Sequence, residues 1–176
     1  VWQTILDKVP NSRLLLKDRM VTTPFALEQL KKRWQRAGLD IDRVDFEPWS
    51  QDYLKSYYKI DIALDTFPYP GGATTCDALY MGVPVITLVG QKHGSRFGYS
   101  LLSNIGSMDD CIAYTPEDYI DKAVQLAQNG NRINFMHLFL REHMQLSVLM
   151  NGYAYMQDLE HKYFKIWKNY AGYEIE

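Results

Sequence analysis

Cysteine is scarce: Cys76 and Cys111 are the only two in 176 residues, and neither sits in a CxxC or Cys/His spacing. A zinc site and a disulfide framework are therefore not indicated. No apolar run is long enough to cross a membrane, and the first residues lack the basic segment, apolar run and cleavage site of a signal peptide. A cytoplasmic setting with no membrane partner is the simpler expectation. A basic excess is missing as well: the formal net charge is -2, so nothing draws the chain as a whole towards nucleic acid. Neither GxxxxGK[ST] nor GxGxxG occurs, which weighs against P-loop ATPases and classical dehydrogenases. His93, His137, His143 and His161 form no spaced ligand cluster. Asp40-Ile41-Asp42 matches a DxD metal pattern, but aspartates just after Gly38 read first as turn residues, as do Asp109 and Asp110. No metal is expected.

What is present is a globular balance of 47% apolar and 23% charged residues, enough for one compact domain. Trp2, Ile5, Leu6 and Val9 recur at helical spacing before Pro10-Asn11-Ser12, and Leu14 to Leu16 reads as a strand. Thr23 is a candidate N-cap, with Pro24 at the first helical position and Leu27, Leu30, Trp34 and Ala37 on one face before Gly38. Val44 to Phe46 is a short strand, Ser50 a candidate cap for a helix carrying Leu54 and Tyr57, and Ile60 to Leu64 a further strand. A Gly/Pro-rich loop over 68–72 leads to a helix from about Thr75 to Met81, and the run Val83 to Val89 predicts a buried strand. Thr115 to Asp118 starts another helix, and patterns from about Ile133 and from Tyr153 predict two more, leaving 131–176 mainly helical. Alternating βα units imply an α/β fold: a Rossmann-like, three-layer lobe with a mainly parallel sheet, followed by C-terminal helices.

Ligands of open parallel sheets bind at the carboxyl ends of the strands, where the stretch from Leu64 to Asp77 lies. Gly71 and Gly72 permit close backbone approach, and Thr74 and Thr75 place hydroxyls at a helix N-terminus suited to a phosphate. Asp77, a turn further on, can accept hydrogen bonds from ribose hydroxyls. A plain turn and an ordinary Thr cap explain the same residues equally well on local chemistry alone. His93 and Arg96, in a loop after a strand, are candidates for a donor-side contact or for structural roles. Tyr155, Tyr163, Phe164 and Trp167 put more aromatic surface on the last helix than one packed face needs, so self-association through it is expected if ordinary packing does not cover it.

Three segments resemble the O-GlcNAc transferase and SPINDLY-like glycosyltransferases: Ile60 to Tyr69, the Gly-Gly-Ala-Thr-Thr-Cys-Asp-Ala-Leu of 71–79, and Met81 to Val85. Ser95-Arg96 and Ser100 to Leu102 extend the likeness over the chain. The resemblance implies the C-terminal, donor-binding lobe of a GT-B enzyme. It implies a UDP-sugar donor, UDP-GlcNAc favoured, a protein Ser/Thr acceptor, and an N-terminal lobe and TPR repeats outside this chain. It also assigns Thr74 and Thr75 to the phosphates, Asp77 to the ribose, and the backbone near Trp49 and Ser50 to the uracil. Tyr53 stands where the family usually has a donor-contacting histidine, and Pro70 where relatives often have asparagine. A loop with a diphosphate-binding lysine would precede Val1. The lobe alone is accordingly expected to be inactive, and no catalytic base is assigned to it. Another GT-B sugar-nucleotide activity, or a non-catalytic nucleotide-binding or interaction module, is the alternative.

Overall fold

A computed structural model describes residues 1–172. The chain opens with α1 (Trp2–Lys8), β1 (Leu14–Asp18), α2 (Pro24–Arg36) and β2 (Val44–Pro48). It continues with β3 (Ala63–Leu64), α3 (Ala73–Tyr80), β4 (Val85–Leu88), α4 (Phe97–Ile105) and β5 (Ile112–Ala113). Three helices finish it: α5 (Pro116–Gln128), α6 (Gly130–Leu146) and α7 (Gly152–Tyr170). All strand pairings are parallel, as the βα alternation demands, but the hydrogen-bonded ladder is divided: β1 pairs with β2, and β3-β4-β5 form a separate three-stranded sheet. The expected strand Ile60 to Leu64 gives only Ala63 and Leu64 to that ladder; Ile60 closes the 3-10 segment Tyr53–Lys59 as its cap, and residues 60–62 lead into the strand.

Two apolar clusters match the two sheets. The smaller joins Leu6, Leu39 and Val44 with Trp2, Trp34 and Phe46, and the larger surrounds β4 with Leu79, Ile86, Leu102, Tyr119 and Met136. Pro24 starts α2 as expected, although Thr23 takes the cap position by backbone geometry alone and makes no side-chain cap bond. Thr115 does cap α5, accepting from the Asp118 N–H. Arg43 closes the end of α1, donating to the carbonyls of Leu6, Val9 and Ser12 and so satisfying acceptors that a helix leaves open. The positive φ of Gly82 fits a helix stop, and a methyl group there would lie 2.9 Å from the His137 carbonyl oxygen, so this turn fixes how closely α3 approaches α6.

Two expectations need correcting. Ser50 caps no helix: the segment after it is 3-10, its cap position is Asp52, and the Ser50 hydroxyl instead accepts from Lys17 at 3.0 Å. The helix placed from about Thr75 begins at Ala73, with Gly72 as its cap. Asp109 and Asp110 are exposed in a 3-10 turn, as expected, with Arg132 donating to the Asp110 carboxylate at 2.8 Å. Asp40 does make a turn, accepting from the Asp42 N–H.

The helices from Ile133 and Tyr153 appear as α6 and α7; the last four residues of the stretch 131–176 lie outside the described residues. Residue for residue α7 has nothing buried, and Tyr163, Phe164 and Trp167 are each more than half exposed. Among the described residues no helix is long and apolar enough to cross a membrane.

Candidate functional site

Strand β3 ends at Leu64, and the chain turns through Asp65 to Gly72 before α3 begins. The turn is pinned from inside. The Asp65 carboxylate, 7% exposed, accepts from the Gly71 N–H and from the Thr87 hydroxyl, both at 2.7 Å. The hydroxyl of fully buried Tyr119 donates to the Asp65 carbonyl at 2.9 Å, and its ring meets Phe67 edge-on. Burial drives the Asp65 carboxyl above its ordinary value, with the Gly71 and Thr87 donors pulling the other way. Burial likewise pushes the Tyr119 phenol up, so its proton stays available for that bond.

Starting α3 at Ala73 puts Thr74 and Thr75 within its first turn rather than at its cap. The first intrahelical bond runs from Cys76 N–H to Gly72 carbonyl, so the N–H groups of Ala73 to Thr75 have no partner within the helix. Both threonine hydroxyls crowd Gly71, that of exposed Thr74 and that of Thr75, a residue only 4% exposed: a methyl group built on this glycine would stand 2.6 Å from each. Here glycine is required by space. Asp65, Thr66, Gly71, Thr74 and Thr75 then line a cavity of about 170 Å³ with Tyr57 at its side. A larger cavity of about 380 Å³ shares Asp65 and Thr66 but is otherwise walled by Val1, Trp2, Gln3, Trp34, Ala37, Leu39 and Phe67. Both cavities have mostly apolar walls, the smaller including Ala63, Leu64, Ala78 and Val85, but only the smaller is lined by the Thr74 and Thr75 hydroxyls of the α3 turn.

Two tyrosines from the 3-10 segment reach over this turn. Tyr53 donates to the Asp77 carboxylate at 3.1 Å, a bond that raises the phenol's pKa, and Tyr57 donates to the Thr74 carbonyl at 3.1 Å. Burial moves the Tyr57 phenol to about 12. Tyr57 was legible only as an apolar position; the polar tip of a half-buried tyrosine needs a partner, and that was the available signal.

The strand end at Trp49 and Ser50 is held by a second network. Lys17 on β1 stands opposite Glu47 on β2 and donates to its carboxylate at 2.7 Å, to the Pro48 carbonyl at 3.1 Å and to the Ser50 hydroxyl. Lys59 at 2.6 Å and the Ser56 hydroxyl also donate to Glu47, and these donors, Lys17 foremost, lower its pKa to about 2. Trp49 is exposed, with the Arg19 guanidinium over its ring. His93 lies edge-on to Phe97, and Arg96 is exposed and forms no side-chain hydrogen bond or ion pair among the described residues. Of the sequence candidates, a hydrogen bond joins Tyr53 to Asp77 and close packing joins Gly71 to Thr74 and Thr75; α3, capped by Gly72, carries Thr74, Thr75 and Asp77. Trp49, Ser50, His93 and Arg96 make no direct bond to that group. Among the described residues no set of three or more His, Cys, Asp or Glu side chains is arranged to hold a metal.

Comparison with known proteins agrees over nearly the whole chain. The model of glycosyl transferase family 41 matches residues 1–159. A probable UDP-N-acetylglucosamine–peptide N-acetylglucosaminyltransferase SPINDLY of Eustoma exaltatum subsp. russellianum is 40% identical over 99% of this chain and 19% of its own length. The SEC protein of Arabidopsis thaliana, described by the same probable activity, is 31% identical over 94% of this chain and 17% of its own. A solved mutant O-GlcNAc transferase from Thermobaculum terrenum superposes with a TM-score of 0.87 and 30% identity, covering 96% of this chain and 32% of that one. The chain spans about a fifth of the curated relatives and about a third of the solved one.

Proposed function

The chain belongs to glycosyltransferase family 41, and from that premise we propose that it is the donor-binding lobe of a transferase that moves GlcNAc or a related sugar from a UDP-sugar to protein Ser or Thr. The observation that carries this reading is the convergence of two threonine hydroxyls and the free N–H groups of α3 beside Gly71, at the carboxyl end of β3, with Asp77 one turn away. As the sugar departs, negative charge gathers on the UDP. Preorganised donors that need no reorientation stabilise it, which is the role given to Thr74, Thr75 and the first turn of α3. Asp77, released from Tyr53 or sharing its second oxygen, accepts from the ribose. Trp49 and Ser50 present the strand end to the uracil, and His93 and Arg96 flank the donor from the loop before α4. UDP-GlcNAc is the favoured donor, and no metal is required.

Residues 1–176 form one lobe in this reading, working with an N-terminal lobe that carries the acceptor side, in a cytoplasmic setting. The isolated lobe is therefore expected to bind donor without catalysing transfer. Titration calorimetry with UDP tests this directly: binding should be measurable and Asp77→Ala should weaken it about tenfold, the equivalent of about one hydrogen bond to a charged group. A wild-type chain indifferent to saturating UDP would sink the reading. The exposed aromatic face of α7 favours a second one, an interaction module, which gains if a protein partner binds where UDP does not.

A further inference from the structure

We propose that Asp65 is the positioning residue of this site: its buried carboxylate sets the place of Gly71 and thereby of the Thr74 and Thr75 hydroxyls that face the nucleotide's phosphates. The inference rests on the donor-site reading above and assigns a role to a residue that need not touch the ligand.

Four separate anchors meet at Asp65. Its backbone N–H stays in the sheet, donating to the Ile86 carbonyl at 2.9 Å, and its carbonyl accepts from Tyr119. One carboxylate oxygen takes the Gly71 N–H and the other takes Thr87, which is 1% exposed on the neighbouring strand β4. The side chain is therefore held at both oxygens, and the flexible Pro/Gly turn is tied back to the most rigid part of the sheet. Space is reserved for the arrangement: a methyl group on Gly98, in the first turn of α4, would come within 2.7 Å of Asp65 and closer still to Thr87. By engaging the Gly71 N–H, Asp65 also decides which donors remain for a ligand, namely those of α3. Without this tie Gly71 is free to rotate, and the two hydroxyls packed against it lose their common orientation. A phosphate-free ligand does not use those hydroxyls and should not notice the loss.

That asymmetry supplies the test. This chain and its Asp65→Ala, Asp65→Asn and Thr87→Val variants are titrated with UDP and with uridine, by calorimetry or NMR, at a temperature where each is folded. Asp65→Ala is expected to weaken UDP about tenfold, as for one charge-assisted hydrogen bond, and to leave uridine unchanged. Asp65→Asn keeps an acceptor for Gly71, and the Thr87 hydroxyl can turn to accept, so UDP affinity should stay within about threefold of wild type. Thr87→Val frees one oxygen and should weaken UDP selectively by a smaller factor, which carries the test if Asp65→Ala does not fold. Equal losses for UDP and uridine, no loss at all in Asp65→Ala, or an Asp65→Asn variant as weak as Asp65→Ala would each overturn the proposal. Wild type that ignores UDP would instead bring down the donor-site reading itself, so the two failures are distinct.

Discussion

Replacing Glu47 by Gln should cost stability at neutral pH and cost nothing in strong acid. The carboxylate is 20% exposed and receives Lys17, itself 17% exposed, together with Lys59 and Ser56. Its pKa falls from 4.5 to about 2 through those donors, Lys17 first. At 1.36 kcal/mol per pH unit the displacement sets a ceiling of about 3 kcal/mol. Lys59 is 61% exposed, so water shares that part of the network; Gln also keeps one acceptor oxygen, and about 1–2 kcal/mol is the expected loss. Because the folded pKa lies below the unfolded one, the contribution is complete above about pH 4.5 and disappears as the pH falls towards about 2. Urea unfolding of both proteins from about pH 7 to about pH 2.5 measures the gap. A gap as wide near pH 3 as near pH 7 would refute the electrostatic account. No gap at neutral pH would mean that Lys17 holds Pro48 and Ser50 without help from Glu47.

Two further outcomes follow from burial. Tyr119→Phe keeps the ring against Phe67 but deprives the buried Asp65 carbonyl of its donor, so unfolding stability should fall by about 1–2 kcal/mol, or roughly 3–6 °C in midpoint. A change below about 0.3 kcal/mol would show that the turn does not depend on this hydroxyl. Changing Tyr163, Phe164 and Trp167 together to Gln should leave stability within about 0.5 kcal/mol per site, because α7 has no buried residue, while reducing any self-association seen by sedimentation velocity. A loss above about 3 kcal/mol for the triple variant would mean that this face packs on the core.

What could be read from the residues was the periodic and the local. Pro24, Thr115 and Gly82 mark helix ends by backbone chemistry that acts within a turn, and each marks one. The Gly71 to Thr75 bend was legible for the same reason. Ser50 misled because its hydroxyl is claimed by Lys17, 33 positions away, which no local cap rule can foresee. Helix α4 escaped notice because Gly98, Ser100 and Ser103 weaken its pattern; the glycine is there to clear Thr87 and Asp65, a demand set by tertiary structure. The cross-strand pair of Lys17 and Glu47 needed the β1–β2 register before it could be seen. Asp65 lay inside the stretch that drew attention, yet its work is done through Thr87 and Tyr119, 22 and 54 residues further on.

A buried carboxylate beside a site for anions looks self-defeating, since like charges raise the free energy of the bound state. The surroundings of Asp65 answer most of that objection. The lead-in to α3 meets one oxygen through the Gly71 N–H, and the first turn of α4 lies against the other through Gly98. Hydrogen-bond donors, the Gly71 N–H and the Thr87 hydroxyl, thus reach both oxygens of the carboxylate before any ligand arrives. The cost that survives is visible in the raised pKa, and it is borne by the folded protein whether or not nucleotide is present. What the ligand meets is therefore a turn already held in place. If the site binds nucleotide as proposed, through hydroxyls and N–H groups, fixed orientation is worth more than the small repulsion left over, because unordered donors would have to be arranged at the ligand's expense.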